Sequence, residues 1–310
     1  MDILKETDFG FLGPKTAGKV RDIYERNGKL VLITTDRHSS FDRIIAHIPW
    51  KGQVLNQVSA WWFEKTRDIV PNHVLAIPDP NVTIAKKCAP LPVEAVVRGY
   101  LTGVTDTAAW TRYSAGQRDF GGIVLPGGMR KNQKLPQPIF DPTTKEALHD
   151  RTLTPEQMIA EGFITGEMFN RVKAAALALF ARGQELAAHN GLILVDTKYE
   201  FGTDADGALI LIDEIHTPDS SRYWQLDSYA VRFAAGEEPQ YFDKEFLRLW
   251  FRDHCDPYRD ATLPPAPPDL VQELSRRYIA MYEQITGMKF VYGATPILPR
   301  IEKNLKSYIF

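Results

Sequence analysis

The stretch VDTKYEFGTDADGALILIDE, residues 195–214, decides the fold class of this chain of 310 residues. Its apolar, β-branched runs predict strands at 192–196 and 208–213, and the segment 203–207 between them, rich in Asp and Gly, predicts a tight turn. Two strands joined by a tight turn pair in antiparallel fashion. The centre of the sequence therefore predicts an antiparallel hairpin.

Three charged side chains of this stretch are candidates for binding a metal ion and a phosphate. Because a hairpin brings the far ends of its strands together, Glu200 and Asp213 are expected near one end of it. Two carboxylates can hold Mg²⁺, a hard cation that keeps water and phosphate oxygens in the rest of its shell. Lys198 points to the same side of its strand as Glu200 and can contact a phosphate, a layout that parallels protein kinases. The alternative is an ordinary hairpin whose solvated acids pair with the lysine.

On either side of the hairpin, hydrophobic periodicity and capping signals predict the other elements. Strands are predicted at 28–35 and 92–97, and helices at 53–67, from a capping box at 154–157, at 166–189 and from 269 onward. The proline-rich segment 125–144 shows no periodicity, and we expect it to be a mobile loop that covers a site. Strands at the start, mixed elements in the middle and helices at the end predict an α+β chain with a cleft between two lobes.

Composition and charge exclude several classes of protein. The 37 Lys and Arg residues nearly balance the 39 Asp and Glu residues, so no global positive field recruits nucleic acid or an anionic membrane. The two cysteines are isolated and the seven histidines form no HxH or HExxH pair, which argues against a structural zinc site. No secretory signal is evident, and the apolar runs fall far short of the roughly 20 residues that span a bilayer. We therefore expect a cytoplasmic protein without nucleic-acid or membrane partners.

Two further segments carry groups that can bind phosphate. Gly18, Lys19 and Arg21 precede the first strong strand, where backbone N–H groups and cations can meet a phosphate, although neither GxxxxGK[ST] nor GxGxxG is present. The alternative for these residues is a turn glycine with surface cations. The segment TPDSSR (217–222) combines hydroxyls with a guanidinium that can clamp a phosphate monoester, and Arg98 is a second clamp candidate.

The segment TTDRHSSFD (34–42) is dense in polar groups directly after an apolar strand, where α/β-type folds place ligand contacts. His38 within it is a candidate general base. A surface or positioning role is the preferred interpretation, because a phosphorylated carboxylate needs no strong base to react. The segment is therefore a candidate substrate-binding loop.

Together these segments closely resemble the SAICAR synthetase (phosphoribosylaminoimidazole-succinocarboxamide synthase) family of de novo purine synthesis. Each stretch alone has low specificity, whereas their combination in the family's order is highly specific. The matching stretches are GKVRDIYE (18–25), TTDRHSSFD (34–42), KGQVLNQVSAWWF (51–63), PVEAVVRGYLTG (92–103), PQPIFDPTTK (136–145), VDTKYEFG (195–202) and DEIHTPDSSRYW (213–224).

The resemblance implies an ATP-grasp-like, kinase-related fold. A β-rich N-terminal lobe would occupy residues 1–90, and a larger mixed lobe would occupy 91–310 and end in a helical segment after residue 256 or so. It implies a ligase that joins CAIR, the carboxylated aminoimidazole ribonucleotide, to L-aspartate with ATP, and releases SAICAR, ADP and phosphate. The CAIR carboxylate would first become an acyl phosphate, which the aspartate amine then attacks. ATP, CAIR and L-aspartate are thus the expected small-molecule partners, with Mg²⁺ as cofactor, and a monomer is favoured over a homodimer.

The resemblance also assigns roles to residues of this chain at positions that match the family's motifs. The expected catalytic residues are Lys198, Glu200 and Asp213, of which Glu200 and Asp213 hold Mg²⁺. The residues expected to bind ATP are Gly18, Lys19, Arg21, Pro90 and Leu91, and either Lys86 or Lys87 faces the nucleotide. The residues expected to bind the other substrates are Asp36, Ser39, Ser40 and Asp42, on the imidazole or aspartate side, and Arg98, Ser221 and Arg222, on the CAIR phosphate.

Two positions depart from the family's pattern. Ser40 stands where the family often has alanine, a small added hydroxyl that should be tolerated. Val104 stands where many relatives have serine, so the hydroxyl expected beside the CAIR phosphate is displaced. Thr102 or Thr105 supplies it, or the two arginines suffice.

Two other functions stay open at this stage. An ATP-dependent kinase of another phosphorylated metabolite would share the lysines and carboxylates, but it would have no reason to carry TTDRHSSFD and TPDSSR. A nucleotide-binding module without catalysis would bind ATP and form no ADP. The ligase is the preferred interpretation, because grouped cations and acids destabilise a fold unless they bind something.

Overall fold

A computed structural model describes residues 2–145, 153–242 and 245–309. Contacts within the chain divide it into two units. The first comprises Met1–Trp61, His73–Lys87 and Phe242–Phe310, and the second comprises Trp62–Asn72 and Cys88–Tyr241. Each unit is therefore assembled from stretches that are distant in the sequence.

Antiparallel strands and helices occur in separate groups along the chain, which confirms the predicted α+β class. The strands are β1 (Lys15–Ala17), β2 (Arg21–Arg26), β3 (Lys29–Thr34), β4 (Arg37–Ser40), β5 (Arg43–His47), β6 (Val74–Asp79), β7 (Val82–Lys86), β8 (Ala89–Leu101), β9 (Asp119–Phe120), β10 (Ile123–Val124), β11 (Gln133–Phe140), β12 (Thr143–Thr144), β13 (Leu192–Thr203), β14 (Leu209–Ile212) and β15 (Ser221–Gln225). The helices are α1 (Lys51–Thr66), α2 (Ala109–Ser114), α3 (Pro155–Ala160), α4 (Gly166–His189), α5 (Leu226–Ala235), α6 (Glu245–His254), α7 (Pro268–Thr286) and α8 (Ile297–Ile309). Across the described stretches, none of the helices combines the length and the apolar character needed to cross a bilayer.

The first unit contains a five-stranded antiparallel sheet in the order β1-β2-β3-β7-β6 and a separate hairpin of β4 and β5. Asn27 and Gly28 form the turn between β2 and β3, and their φ angles of 51° and 71° suit a two-residue hairpin turn. The strand predicted at 28–35 is confirmed as β3, in which Val31 and Ile33 are buried.

Helix α8 belongs to the first unit, so the division differs from the one predicted at residue 90. Ile297, Ile301 and Leu305 of α8 are buried in one apolar cluster with Tyr24 and Ile33 of the sheet. A sheet with one apolar face needs cover, and here an amphipathic helix from the other end of the chain supplies it. Periodicity predicts such a helix but does not reveal its packing partner.

Strands β8 and β13 are the central strands of the second unit's antiparallel sheet. Its order is β11-β8-β13-β14, and β12 and β15 pair with β8 and β13 respectively. Glu200 lies opposite Ile212 across β13 and β14, which confirms the predicted hairpin. Strand β13 continues to Thr203, beyond the end predicted at 196.

Helix α4 packs against this sheet and confirms the helix predicted at 166–189. The capping box predicted at 154–157 is likewise present at the start of α3. A Cβ atom on Gly99 of β8 would lie 2.8 Å from Gln184 Nε2 and 3.2 Å from the Phe180 ring. The absence of a side chain at Gly99 therefore lets α4 approach the strand closely.

The prediction of a loop at 125–144 is wrong for much of that segment. Residues 133–140 form β11, which pairs with β8, and Leu135 and Ile139 are buried. Pro136 and Pro138 lie between Lys134 and Ile139, where the register shifts, on a strand at the edge of the sheet. An edge strand tolerates proline, and the irregular register hides the alternation that would reveal the strand.

Candidate active site

One face of the second unit's sheet carries charged side chains from its two central strands. Side chains two residues apart in a strand lie on the same face. A cavity of about 220 Å³ opens on this face, and Arg98, Lys198 and Arg222 are among the residues that line it. The facing pairs of β13 and β8 are Asp196 with Arg98, Lys198 with Val96 and Glu200 with Glu94.

Lys198 lies among three carboxylates at one end of the face. Its Nζ donates to Glu200 Oε1 at 2.6 Å and to Glu94 Oε1 at 3.2 Å, and Asp213 Oδ2 is 4.0 Å away. Burial by itself would lower the pKa of Lys198, but the three carboxylates together raise that pKa above its ordinary value. Lys198 is therefore a fixed cation and not a proton acceptor. The structure thus brings the three predicted catalytic residues together.

Asp213 reaches this cluster from an unusual backbone conformation. It follows β14 with φ at 66°, in the left-handed region, which costs a residue other than glycine about 1 kcal/mol. Its side chain is 26% exposed and so stays open to a ligand. Strain of this kind persists only where the surrounding structure enforces it, and it is frequent at functional sites.

The oxygen donors at this end suit a hard divalent cation. Glu200 and Asp213 offer carboxylate oxygens, and Glu200 pairs with the ammonium groups of both Lys198 and Lys145. In the described part of the chain, no group of three or more His, Cys, Asp or Glu side chains forms a metal cage. Mg²⁺ commonly takes one or two carboxylates and completes its shell with water and substrate phosphate, so these residues fit it.

Arginines collect at the other end of the face. Arg222 Nη2 is 3.5 Å and Arg98 Nη1 is 3.9 Å from Asp196 Oδ2, a buried oxygen that accepts no hydrogen bond from the residues that the structure describes. Arg98 Nε donates to Asp141 Oδ2 at 2.8 Å, and Arg112 contacts the same oxygen. Three guanidinium groups thus face two carboxylates. This end therefore has excess positive charge, which can attract an anion. The two predicted clamp arginines, Arg98 and Arg222, lie together in it.

The turn before β15 presents Ser220 to the cavity, whereas Ser221 was the predicted ligand. Ser221 Oγ and Thr197 Oγ1 are 2.7 Å apart and share a hydrogen bond that joins β15 to β13. Ser220 Oγ accepts the Thr217 N–H at 3.1 Å within the turn. Ser220, and not Ser221, is therefore the serine of this turn that lines the cavity.

Thr107 is the threonine of its segment that lines the cavity. Its carbonyl oxygen accepts from Arg98 Nη2 at 3.2 Å. Thr102 is buried, and its hydroxyl donates to Asn132 Oδ1 at 2.6 Å, while Thr105 is exposed away from the lining. Thr107 thus lines the cavity and the two predicted threonines do not, while the alternative that Arg98 and Arg222 suffice stays a prediction.

In the first unit, the predicted phosphate-binding segment meets the predicted substrate loop. Lys19 Nζ lies 2.7 Å from Asp42 Oδ1 in an exposed ion pair. Behind it, the buried Arg37 donates to the carbonyl oxygens of Gly18 at 3.0 Å and Lys19 at 3.2 Å, and to Asp22 Oδ1 at 2.8 Å. Arg37 therefore fixes the backbone that carries Lys19, a role that its place in TTDRHSSFD does not reveal.

Asp36 is buried within the first unit. Its Oδ1 accepts the Gly52 N–H and its Oδ2 accepts the Leu4 N–H, both at 2.9 Å. Burial raises the pKa of Asp36 to about 6, although both hydrogen bonds act in the opposite direction. Asp36 thus holds the start of α1, and its contact with a substrate stays a prediction.

The other predicted ligands lie at half-exposed or exposed positions of their own units. Lys87 donates to both carboxylate oxygens of Glu25 at 2.8 Å, and Lys86 is also exposed, so neither lysine is singled out. Arg21 opens β2, Ser39 and Ser40 close β4, and Pro90 and Leu91 lie near the start of β8.

Sequence reasoning missed several residues of the face. Period-two alternation with Arg98 and with Lys198 would have found Glu94 and Asp196, because each lies on the same side of its strand. No alternation marks Asp141 or Thr107, although Asp141 lies in the matching stretch 136–145. Both lie outside the strands on which the pattern can be followed, and the fold alone brings them to Arg98.

Comparisons of the sequence and of the structure with known proteins identify the same family. The SAICAR synthetase family model matches residues 15–265. A phosphoribosylaminoimidazole-succinocarboxamide synthase of Legionella pneumophila (strain Paris) is 56% identical over 308 residues, 99% of this chain and 98% of that protein. A chloroplastic one of Arabidopsis thaliana is 55% identical over 295 residues, 94% of this chain and 72% of that protein. The solved SAICAR-synthase of Saccharomyces cerevisiae complexed with SAICAR superposes with a TM-score of 0.79 at 33% identity, over 93% of this chain and 100% of that one.

Proposed function

Because the chain belongs to the SAICAR synthetase family, we propose that the charged face of its second unit performs the family's ligation through an acyl phosphate. The ligation consumes ATP, CAIR and L-aspartate and releases SAICAR, ADP and phosphate. The observation that carries the proposal is the placement, on one face of β8 and β13, of a lysine among carboxylates beside a cluster of arginines.

The chemistry explains why a phosphoryl donor is needed. A free carboxylate would have to lose an oxide ion, whereas an acyl phosphate loses phosphate. In the first step a CAIR carboxylate oxygen attacks the γ-phosphorus of ATP, and the bond from that phosphorus to ADP breaks. In the second step the aspartate nitrogen bonds to the carbonyl carbon, loses a proton, and displaces phosphate. Both steps depend on positioning and charge neutralisation.

The carboxylate end of the face serves the phosphoryl transfer. Glu200 and Asp213 would hold Mg²⁺, which when bound neutralises charge on the ATP phosphates. Lys198, kept cationic by its carboxylate neighbours, is placed to contact a transferring phosphoryl oxygen. A fixed positive charge stabilises the transition state without any proton transfer from the lysine.

The arginine end serves the CAIR phosphate. Arg98 and Arg222 supply guanidinium groups that pair with two phosphate oxygens, and Thr107 and Ser220 line the same cavity. Asp141 holds Arg98 by its Nε, which fixes the orientation of the guanidinium before the ligand arrives.

The first unit supplies the remaining contacts in this proposal. The residues proposed to bind ATP are Gly18, Lys19, Arg21, Pro90 and Leu91. Ser39, Ser40 and Asp42 bind the imidazole or aspartate side. The family resemblance and the Lys19–Asp42 ion pair support these assignments. We further propose that the protein acts as a monomer in the cytoplasm.

An ADP-release assay that omits each substrate in turn tests the function. We expect sustained ADP release only with ATP, CAIR and L-aspartate together. Sustained release with CAIR but without aspartate would indicate a kinase, and no ADP under any combination would indicate a binding module.

Oxygen labelling tests the acyl phosphate separately. With CAIR labelled with ¹⁸O in its carboxylate, the first step places one labelled oxygen on the γ-phosphorus. We therefore expect one ¹⁸O atom in each phosphate released, measured by mass spectrometry. Unlabelled phosphate formed alongside SAICAR would contradict the acyl phosphate while leaving the ligase activity intact.

A further inference from the structure

The reverse side of β13 holds a hydrogen bond that none of the assigned roles explains. Tyr199 lies between Lys198 and Glu200 in the strand, so its side chain points to the opposite face, where it is fully buried. Its hydroxyl oxygen lies 2.6 Å from His216 Nε2. The strand that presents the catalytic lysine and carboxylate is thus attached, at the residue between them, to His216.

His216 has one fixed position. It is fully buried, its φ is 50°, and its carbonyl oxygen accepts the Tyr223 hydroxyl at 2.8 Å. The Trp62 ring packs edge-on against its imidazole, with ring centroids 4.6 Å apart. On the other side, a Cβ atom on Gly183 of α4 would lie only 2.5 Å from His216 Cε1. The imidazole therefore fills a closed space and cannot move without its neighbours.

The place of His216 in the chain links it to both ends of the charged face. It lies three residues after Asp213 and one residue before the TPDSSR turn that ends at Arg222. On the cavity side, this segment is joined to β13 through its far end, where the Lys198 N–H donates to Ser220 O at 3.2 Å and Thr197 bonds to Ser221. The bond to Tyr199 holds the near end, next to Asp213.

Both partners keep their protonation states around neutral pH. Burial lowers the pKa of His216 to about 3, so the imidazole is neutral. Burial also raises the pKa of Tyr199 well above its ordinary value, so the hydroxyl keeps its proton. The hydrogen bond therefore joins two neutral groups and persists under the conditions of the reaction.

We propose that Tyr199 and His216 are a pair of positioning residues for the ligation. Their hydrogen bond fixes the segment 213–222 to the back of β13, so that its metal carboxylate and its phosphate clamp face the same cavity as Lys198. The pair touches neither substrate nor cofactor and acts through Asp213 and Arg222. This inference rests on the function proposed above.

Tyr199→Phe tests the pair, because it removes one oxygen atom and keeps the ring. Leaving the buried imidazole nitrogen unpaired should misplace the segment, and we expect the KM for CAIR to rise about tenfold and kcat to fall about tenfold. Tyr229→Phe is the matched control. It removes a hydroxyl that donates to Asn132 O at 2.8 Å elsewhere in the same unit, and its KM and kcat should equal those of the wild type.

Substitutions at His216 separate positioning from packing. His216→Gln offers Tyr199 an amide oxygen, and it should retain more activity than His216→Leu, which offers nothing. Combining Tyr199→Phe with His216→Leu should cost no more than His216→Leu alone, because the bond is already absent. A role in stability alone would lower the folded fraction, seen by circular dichroism, and leave the KM for CAIR unchanged.

The outcomes distinguish this inference from the proposed function. Wild-type protein that makes SAICAR, with Tyr199→Phe unchanged in KM and kcat, overturns the positioning pair alone. Wild-type protein that makes no SAICAR overturns both proposals. If Tyr199→Phe does not fold, His216→Gln and His216→Leu are measured in the same way, and wild-type kinetics for a folded His216→Leu overturn the pair.

Discussion

Lys198 shows how the neighbours of one side chain decide its chemistry. Burial by itself would lower the pKa of a lysine and prepare it to accept a proton, but Glu200, Asp213 and Glu94 reverse that effect. The sequence alone offers a lysine next to acids and leaves a solvated pair as an alternative. The distances of 2.6 and 3.2 Å to two carboxylates establish a partly buried cation in a cluster.

Asp213→Asn should lose at least about a hundredfold in turnover, because removing one electrostatic group from the transition state costs roughly 3 kcal/mol. Steady-state formation of SAICAR at ordinary Mg²⁺ measures the effect, and circular dichroism checks folding. Asp206→Asn, in the exposed turn of the same hairpin, is the control and should keep wild-type turnover. Near-normal turnover of Asp213→Asn would contradict its assignment.

Thr107→Val should raise the KM for CAIR roughly fivefold to tenfold and leave kcat nearly unchanged, because it removes the hydroxyl of a residue that lines the cavity and keeps the side-chain shape. Initial rates at varied CAIR measure the effect. Thr105→Val is the matched control, since Thr105 is exposed outside the lining. Equal KM values for the two variants would remove Thr107 from the phosphate site.

At the scale of elements, local sequence patterns predict that a helix or strand forms better than they predict which element it packs against. The β13–β14 hairpin, α4 and the capping box of α3 follow from signals within a few residues, and the structure confirms them. The signal fails at β11, where prolines and a register shift remove the alternation. Local patterns also do not predict what α8 packs against, because the apolar face of a helix does not identify the surface that it covers.

Ile301→Ala should lower the free energy of unfolding by about 2–5 kcal/mol, since Ile301 is fully buried in the cluster that α8 shares with the first unit's sheet. Urea denaturation measures the change. Leu298→Ala on the same helix, at a side chain that is 44% exposed, should change stability far less. Equal effects of the two substitutions would show that α8 does not pack as described.

At the scale of the whole molecule, the near balance of 37 basic and 39 acidic residues conceals a strong local separation of charge. One end of the charged face holds carboxylates around Lys198, and the other holds three arginines around two acids. Net charge therefore says little about the site, which depends on where each sign is placed.

Global stability should depend on pH through His216. Its pKa is about 3 in the folded protein against an ordinary value of 6.5, so between these values the unfolded chain binds a proton that the folded protein does not. The free energy of unfolding should therefore fall as the pH drops below 6.5, by at most about 1.4 kcal/mol per pH unit from this group. Above pH 6.5 the contribution is fully present.

Urea denaturation from pH 7 to 4.5 measures this dependence. His216→Gln carries no such proton, so its stability should fall less steeply with decreasing pH than that of the wild type. His189→Gln, at an exposed position, should keep the wild-type slope. Equal slopes for the wild type and His216→Gln would contradict a neutral, buried imidazole.

The sequence by itself determined the fold class, the central hairpin and the family, and it predicts residues for its chemistry. These depend on short-range periodicity and on motifs whose letters lie next to one another. Only the tertiary structure decided that α8 completes the first unit, that Thr107 and Ser220 line the cavity, that Asp36 turns inward, and that His216 holds the back of β13. The physical reason is that packing joins residues from distant parts of the chain, and no local pattern records which of them will meet.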